Sequence, residues 1–385
     1  MAFSTTDDGY DMSDLPHLLH MPSHVLMHTG KYSMCVKENV AAWSAPLASN
    51  LFPMHNAESG LWCARMAGRK KEALKLAEEL EARARKWKLS RHTEPEGSNG
   101  CERWIVLRLL TLLYFEEYDV IVAEQDGSKY AVDELPYARM VFLMAKGTAA
   151  AVQGRVAEAE TYLTEIMSSK VAKAVQATYS AGELGYYSYA VAAYGLYPAW
   201  LNATILHAKG NVKAAAAKFV AAAAVEEAIY YDEPVTFFTS LRHEAGSMFL
   251  AAGDWASARK QFELSLVRYP ASGVTLFGLA LACQFLEDTE CQNDNEAKAK
   301  VAWADADPEV SLFQLRNMRK ALTLDQREHK TTGAGQKAQG GMARVEGAPR
   351  GTGAAAGLLV AAVVAVLAVI ARRRPTSKTS TPPQL

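Results

Sequence analysis

The chain has 385 residues, an apolar fraction of 50% and a mean hydropathy of −0.08, values that exclude wholesale disorder. Its net charge is −1 and its pI near 6.8, which argues against a nucleic-acid binder, since that would need a basic face. Five cysteines (Cys35, Cys63, Cys101, Cys283 and Cys291) form no C-x-x-C pair and sit mostly in apolar helical runs, so they are expected as reduced thiols.

The first eight residues are acidic, with no basic or apolar segment, so residues 1–14 read as a disordered N-terminus rather than a signal or transit peptide. Strand signals are nearly absent from there on. The clearest segments repeat at helical spacing, as in Ala73, Leu74, Leu76, Ala77 and Leu80. A glycine recurs five residues before a small residue: Gly30 before Cys35, Gly68 before Ala73, Gly154 before Ala159, Gly210 before Ala215 and Gly253 before Ala258. Each glycine follows an apolar stretch and opens a short polar turn. This pattern fits an antiparallel helix pair, with the glycine in a left-handed conformation and the small residue allowing close packing. The 86-residue gap between Gly68 and Gly154 has room for a degenerate pair around Trp104 to Val122.

Residues 89–100 read as a surface loop. Tyr230-Tyr-Asp-Glu-Pro234 reads as an interrepeat loop, because Pro234 halts the preceding helix. Residues 330–353 contain seven glycines among Lys, Gln and Thr, a composition expected of a flexible linker. Residues 354–371 carry no charge or polar side chain and precede Arg372, Arg373 and Arg374. A helix there spans about 27 Å, close to a ~30 Å hydrocarbon core. The expectation is a single-pass transmembrane helix acting as a C-terminal tail anchor, followed by a short basic and polar tail over residues 372–385. It would display the helices to the cytosol, on an organelle outer membrane rather than along the secretory route. The reverse topology stays open if a signal peptide precedes this chain.

The segment Thr239 to Pro270 carries Gly246 at a close-packing point, Phe249 one turn later, Gly253 at the turn, Ala258, Phe262 between helices and a closing Pro270. Leu201 to Glu227 keeps Gly210, Ala215, Phe219 and Ala222. With these residues the chain resembles the tetratricopeptide repeat family over residues 15–325. His20-Met-Pro-Ser-His24 and Leu276-Phe-Gly-Leu279 also look like elements of bacterial-type members without a settled activity. The resemblance implies an all-α fold, a helix-turn-helix repeat solenoid of six or seven pairs with an extended concave groove for protein or peptide partners. The function expected from it is that of a non-enzymatic scaffold.

No familiar catalytic signature is present. One cluster stands out: His17, His20, His24 and His28, at spacings that put all four on one helix face unless Pro22 breaks the helix and leaves His24 and His28 as the secure pair. The next helix offers His55, Glu58, Trp62 and Arg65 on the equivalent face. Counted back from the turn glycines, His24, His28, His55, Glu58, Trp62, Tyr197, Trp200, His207 and His243 fall on the groove and are candidate partner-binding residues. No cofactor is required by that reading. The alternative is a metal-binding, zinc-type or hydrolytic protein using His20, His24, His28 and His55.

Overall fold

A computed structural model describes residues 16–45, 52–90, 101–124, 127–130, 135–168, 188–228, 233–235 and 237–310. The chain divides into two units, Met1–Lys330 and Thr331–Leu385, and all of the described residues belong to the first. Every described element is a helix; among the described residues there is no strand.

The chain opens with α1 (Pro16–His20), α2 (Pro22–His28), α3 (Tyr32–Ser44), α4 (Pro53–Met66) and α5 (Lys70–Ser90). Next in chain order come α6 (Cys101–Ile105), α7 (Leu107–Tyr114), α8 (Tyr118–Ala123), a 3₁₀ turn at Gly127–Tyr130, α9 (Pro136–Val152) and α10 (Val156–Ile166). The series closes with α11 (Ser188–Ala208), α12 (Val212–Ala228), α13 (Leu241–Ala251), α14 (Trp255–Arg268), α15 (Gly273–Phe285) and α16 (Thr289–Ala302). Most helices pack on the one before and the one after, so each buries an apolar stripe against its sequence neighbours. In α5 that stripe is Ala73, Leu76, Ala77, Leu80 and Ala84, at helical spacing.

All five turn glycines have positive φ, between 71° and 79°. At each turn the glycine N–H reaches back three residues and the next N–H reaches back five, as in Gly30 to Met27 O and Lys31 to Leu26 O. The same bonding recurs at Glu116 (φ 58°) and Glu287 (φ 59°), two turns without glycine. Glu116 divides the long gap at the expected degenerate pair. The small residues five positions after the glycines (Cys35, Ala73, Ala159, Ala215 and Ala258) are all fully buried. Helix starts have their own cause at three places: Ser240 accepts from the His243 N–H, Asp254 from that of Ser257 and Asp288 from that of Cys291.

The first and last of the described helices of this unit meet. A Cβ on Gly30 would lie 2.7 Å from both Ala271 Cβ and Pro270 O, and one on Gly68 would lie 2.8 Å from Ala306 Cβ. The Tyr32 hydroxyl donates to Pro270 O, Asp307 N–H donates to Gly68 O at 3.0 Å, and Trp62 stacks on Tyr269 at 6.2 Å. The face expected as an open groove is therefore lined on both sides by protein. Every residue of α4 except His55 is buried.

Two expectations are corrected. Cys35 is disulfide-bonded to Cys63 and Cys283 to Cys291, because the α3–α4 and α15–α16 contacts bring their Cα atoms to 6.0 and 5.8 Å. Four of the cysteines are thus not reduced thiols. No described helix is long and apolar enough to cross a membrane. The longest, α5 and α11, have 21 residues each, but α5 carries many charges and α11 is interrupted by Pro198, Asn202 and His207. The structure gives the single-pass tail anchor, and with it the cytosol-facing outer-membrane location, no support. The segment expected to span, 354–371, lies outside the described residues, as do 1–14, 330–353 and 372–385.

The ring of Phe262 lies between two helices that approach through glycine. A Cβ on Gly246 would sit 2.7 Å from it, and one on Gly278 would sit 2.6 Å from it. Gly246→Ala and Gly278→Ala should each cost about 1–3 kcal/mol through overpacking, outweighing the helix-propensity gain of roughly 1 kcal/mol. Thermal melts check this; an unchanged or raised Tm in either variant means that the ring moves aside freely. The Cys35–Cys63 bond closes a loop with a sequence separation of 28 and should contribute about 3–4 kcal/mol. Cys35, Cys63, Cys283 and Cys291 should resist alkylation in the unreduced, denatured chain and take up label after reduction, as read by peptide mass spectrometry.

Candidate metal centre

Pro22 does break the first helix, and it starts α2 at its first position. Met21 nevertheless stays in the right-handed helical region (φ −51°, ψ −38°), so the chain kinks without losing register. His20 and His24 therefore still meet, with ring centroids 4.6 Å apart, and His55 of α4 closes on both, at 4.6 Å from His20 and 5.7 Å from His24. One ligand nitrogen from each of the three rings falls within 4.8 Å of the others. His28, the fourth expected ligand, is exposed and lies outside this trio.

The hydrogen bonds around the trio fix how two of the rings are turned. The Asn39 side-chain amide donates to Cys35 O at 2.8 Å, so its carbonyl oxygen faces His20. That oxygen lies 2.6 Å from His20 Nδ1, which must be the donor, leaving the lone pair on Nε2. His24 Nδ1 is bonded to a Glu233 carboxylate oxygen and His28 Nε2 to the other. The carboxylate can only accept, so His24 Nδ1 is the donor there and Nε2 is the atom turned toward His20. The two Nε2 atoms face each other at 2.9 Å. A contact that short between two ring nitrogens needs a positive centre, a proton or a metal ion, shared by them. Two nitrogens on one tetrahedral zinc, at Zn–N distances of ~2.0–2.1 Å, stand about 3.3 Å apart. The observed gap is close to that value.

Burial drives the His20 pKa down to about 3, with the bond to Asn39 opposing and His55, His24 and His17 lowering it further. Burial, followed by His24, Arg103 and His17, takes His55 to about 4, against the raising effect of Glu233. Both rings are neutral at physiological pH, the form that ligates a metal. Asn39 and Glu233 hold two of the ligands by their other ring nitrogens, as supporting groups around bound metals do. These are the residues that reading the sequence did not find. Asn39 sits mid-helix with no spacing signal, and Glu233 is over two hundred residues from the histidine it holds. The one available hint was the placement of Glu233 beside Pro234, at a helix halt.

The remaining candidate residues lie elsewhere, mostly buried. Glu58 accepts from Arg103 Nε at 2.5 Å and from Trp104 Nε1 at 3.0 Å. Trp62 is 3% exposed and packs between Tyr32 and Tyr269. The Tyr197 hydroxyl is 2.9 Å from that of Tyr137, and Trp200 packs on Phe219, Phe237 and Phe238. His243 is buried against Phe262 with Nδ1 at 3.3 Å from the Thr275 hydroxyl, and burial holds its pKa near 4. His207 is exposed at the end of α11. Of the nine groove candidates, the structure joins His24 and His55 to His20. It places Glu58, Trp62, Tyr197, Trp200 and His243 in the interior.

Compared with protein-family models and with curated proteins, the chain matches none.

The lowered pKa values fix the sign of an acid effect. Below pH 6.5 the unfolded chain protonates His20 and His55, while the folded chain holds them neutral down to about 3 and about 4. The unfolded state then binds more protons, so stability rises with pH across this window and is fully present only above 6.5. The metal-free protein should lose up to about 1.4 kcal/mol per pH unit for each histidine between pH 6 and 4.5. Denaturant melts of native protein and His20→Gln should show the slope shrinking in the variant. Equal slopes would show that His20 titrates as freely in the folded chain as in the unfolded one.

Proposed function

We propose that this protein is a metal-binding protein of the tetratricopeptide-like repeat type, whose helix pairs close around a divalent cation held by His20, His24 and His55. Zinc fits this donor set best, since neutral imidazoles suit it and it accepts three protein ligands with a fourth position for water or another ligand. The observation that carries the reading is the pair of Nε2 atoms facing each other at 2.9 Å with a third imidazole beside them. Support comes from Asn39 and Glu233, which bond the Nδ1 atoms of His20 and His24 and so aim both Nε2 atoms inward. No reaction is assigned to the site.

The scaffold role, in which a concave repeat surface binds a protein or peptide, comes second. Its expected anchors Trp62, Tyr197, Trp200 and His243 are buried, so partner binding would need the stack to open or would use its outer surface.

Isothermal titration with zinc should saturate at one equivalent per chain. His20→Ala, His24→Ala and His55→Ala should each abolish high-affinity binding. Glu233→Gln should weaken it 10–100-fold, and His28→Ala should weaken it far less. A flat titration with zinc and with cobalt, together with a Tm unmoved by either ion, would sink the proposal.

A further inference from the structure

The turn between α7 and α8 carries Glu116 in the left-handed backbone where five other turns carry glycine. Its side chain lines a cavity of about 520 Å³, with Phe115 and Tyr118 beside it. The start of α5, the α9–α10 turn, Glu309 and Val310 bound the rest of the space. That volume falls within the roughly 300–1,000 Å³ of small-molecule sites. Glu116 is exposed to the cavity, yet protein surrounds it closely enough that burial alone raises its pKa.

The other charged groups on the cavity wall are engaged. Lys70 forms an ion pair with Glu117, and Lys71 forms one with Glu309 at 3.1 Å. Asp119 accepts from Gln153 Nε2 at 2.7 Å. The Glu116 carboxylate has no hydrogen-bond or ion-pair partner among the described residues, and no cation opposes the rise in its pKa. The groups that its charge reaches, Tyr118 and Glu244 of α13, do not supply one. Burial raises the Tyr118 phenol well above its usual range, and Glu116 and Glu244 add to this. Burial lifts Glu244 to about 8, with Glu116 adding and the Thr239 hydroxyl opposing. Of the two carboxyl groups, Glu244 therefore keeps its proton at neutral pH, and the charge stays with Glu116. An enclosed carboxylate facing open space without a cation has its burial uncompensated.

We propose that this cavity binds a small organic cation, with its ammonium group on the Glu116 carboxylate and its carbon chain against Phe115 and Tyr118. An ammonium donates charge-assisted hydrogen bonds to a carboxylate, and aromatic faces attract cations. A hard metal ion fits the cavity less well, because it needs six or more oxygens close around it. Here Glu117, Asp119 and Glu309 are already held by Lys70, Gln153 and Lys71. None of the three histidines lines this cavity, so the proposal stands whether or not they bind an ion.

The test is isothermal titration of the full chain at neutral pH and constant ionic strength. The probes are n-butylammonium chloride, n-butanol and magnesium chloride. The ammonium salt should bind saturably at one equivalent, and the neutral alcohol of the same length should not. Glu116→Gln should weaken the ammonium about tenfold or more, the worth of one charge-assisted hydrogen bond. Glu116→Gly removes the carboxylate and suits the φ of 58°, so it should lose binding while melting no lower than the native chain. Glu287→Gln, a change at the other left-handed glutamate turn and outside the cavity, should bind as the native chain does. Absence of ammonium binding overturns the proposal, and so does binding that survives in both Glu116 variants. Equal binding of n-butanol would mean an apolar cavity without charge recognition, and magnesium displacing the ammonium at Glu116 would mean a metal site. Each of these also overturns it.

Discussion

The rest of the structure depends on the closure of the helical unit on itself. The turn at Gly30 presses on Pro270 and Ala271, and the turn at Gly68 presses on Trp303 and Ala306. Both contacts are possible because these turns carry no side chain: a Cβ at either would lie within 2.8 Å of a neighbour. Their first role is local, since the left-handed backbone that ends α2 and α4 favours glycine. Their second role is long-range, because they are the points where the first two helix pairs touch the last two. Once those ends meet, α4 is enclosed, and its polar residues must find partners inside the protein.

That enclosure turns a groove into an interior and sorts its polar groups by charge. At one end of α4, His20, His24 and His55 are held together by α1, α2 and α4, with Glu233 bonded to His24 and His28. Burial disfavours the charged imidazole, so His20 and His55 become neutral ligands. At the other end Arg103 donates to Glu58, and Arg65 is buried with its Nε and Nη1 lacking a hydrogen-bond partner. A guanidinium cannot respond as an imidazole does, so the same burial leaves a charge on Arg65. One physical cause, removal from water, thus acts in opposite ways along one helix: it neutralises His55 and leaves Arg65 charged.

Much of this was legible in the sequence where the signal was local. The five glycine turns, the small residues beneath them and the place of Phe262 between helices against Gly246 all follow from local turn and packing chemistry. The turns at Glu116 and Glu287 were not legible, because tertiary packing imposes a left-handed backbone on a residue that does not favour it. The trio of His20, His24 and His55 was within reach, since helical spacing and counting back from the turn glycines put them on facing surfaces. Their state was not. Whether a line of His, Glu, Trp and Arg on a helix faces solvent or a sealed interior depends on how far the stack curves, a sum of small angles over many pairs. The disulfides were missed for a related reason. A lone cysteine in each of two apolar helices reads as core until the helix contact places the two 6.0 Å apart.

The Cys35–Cys63 bond also bears on the histidines, through Asn39. Cys35 and Asn39 lie one turn apart on α3, and Cys63 joins that turn to α4, the helix that carries His55. The Asn39 amide nitrogen is held by Cys35 O at 2.8 Å and lies 3.4 Å from its sulfur, while its oxygen holds His20 at 2.6 Å. A Cβ built on Gly60 of α4 would be 3.0 Å from the Asn39 Cβ, so the two helices are as close there as a glycine permits. Covalent bond, amide orientation and imidazole tautomer thus form one continuous chain of constraint from the helix pair to the ligand lone pair. Neutral nitrogens alone do not make a metal site, because rings free to rotate would turn their lone pairs apart. It is the fixed backbone carbonyl of Cys35 that sets the amide, the amide that sets His20, and the carboxylate of Glu233 that sets His24.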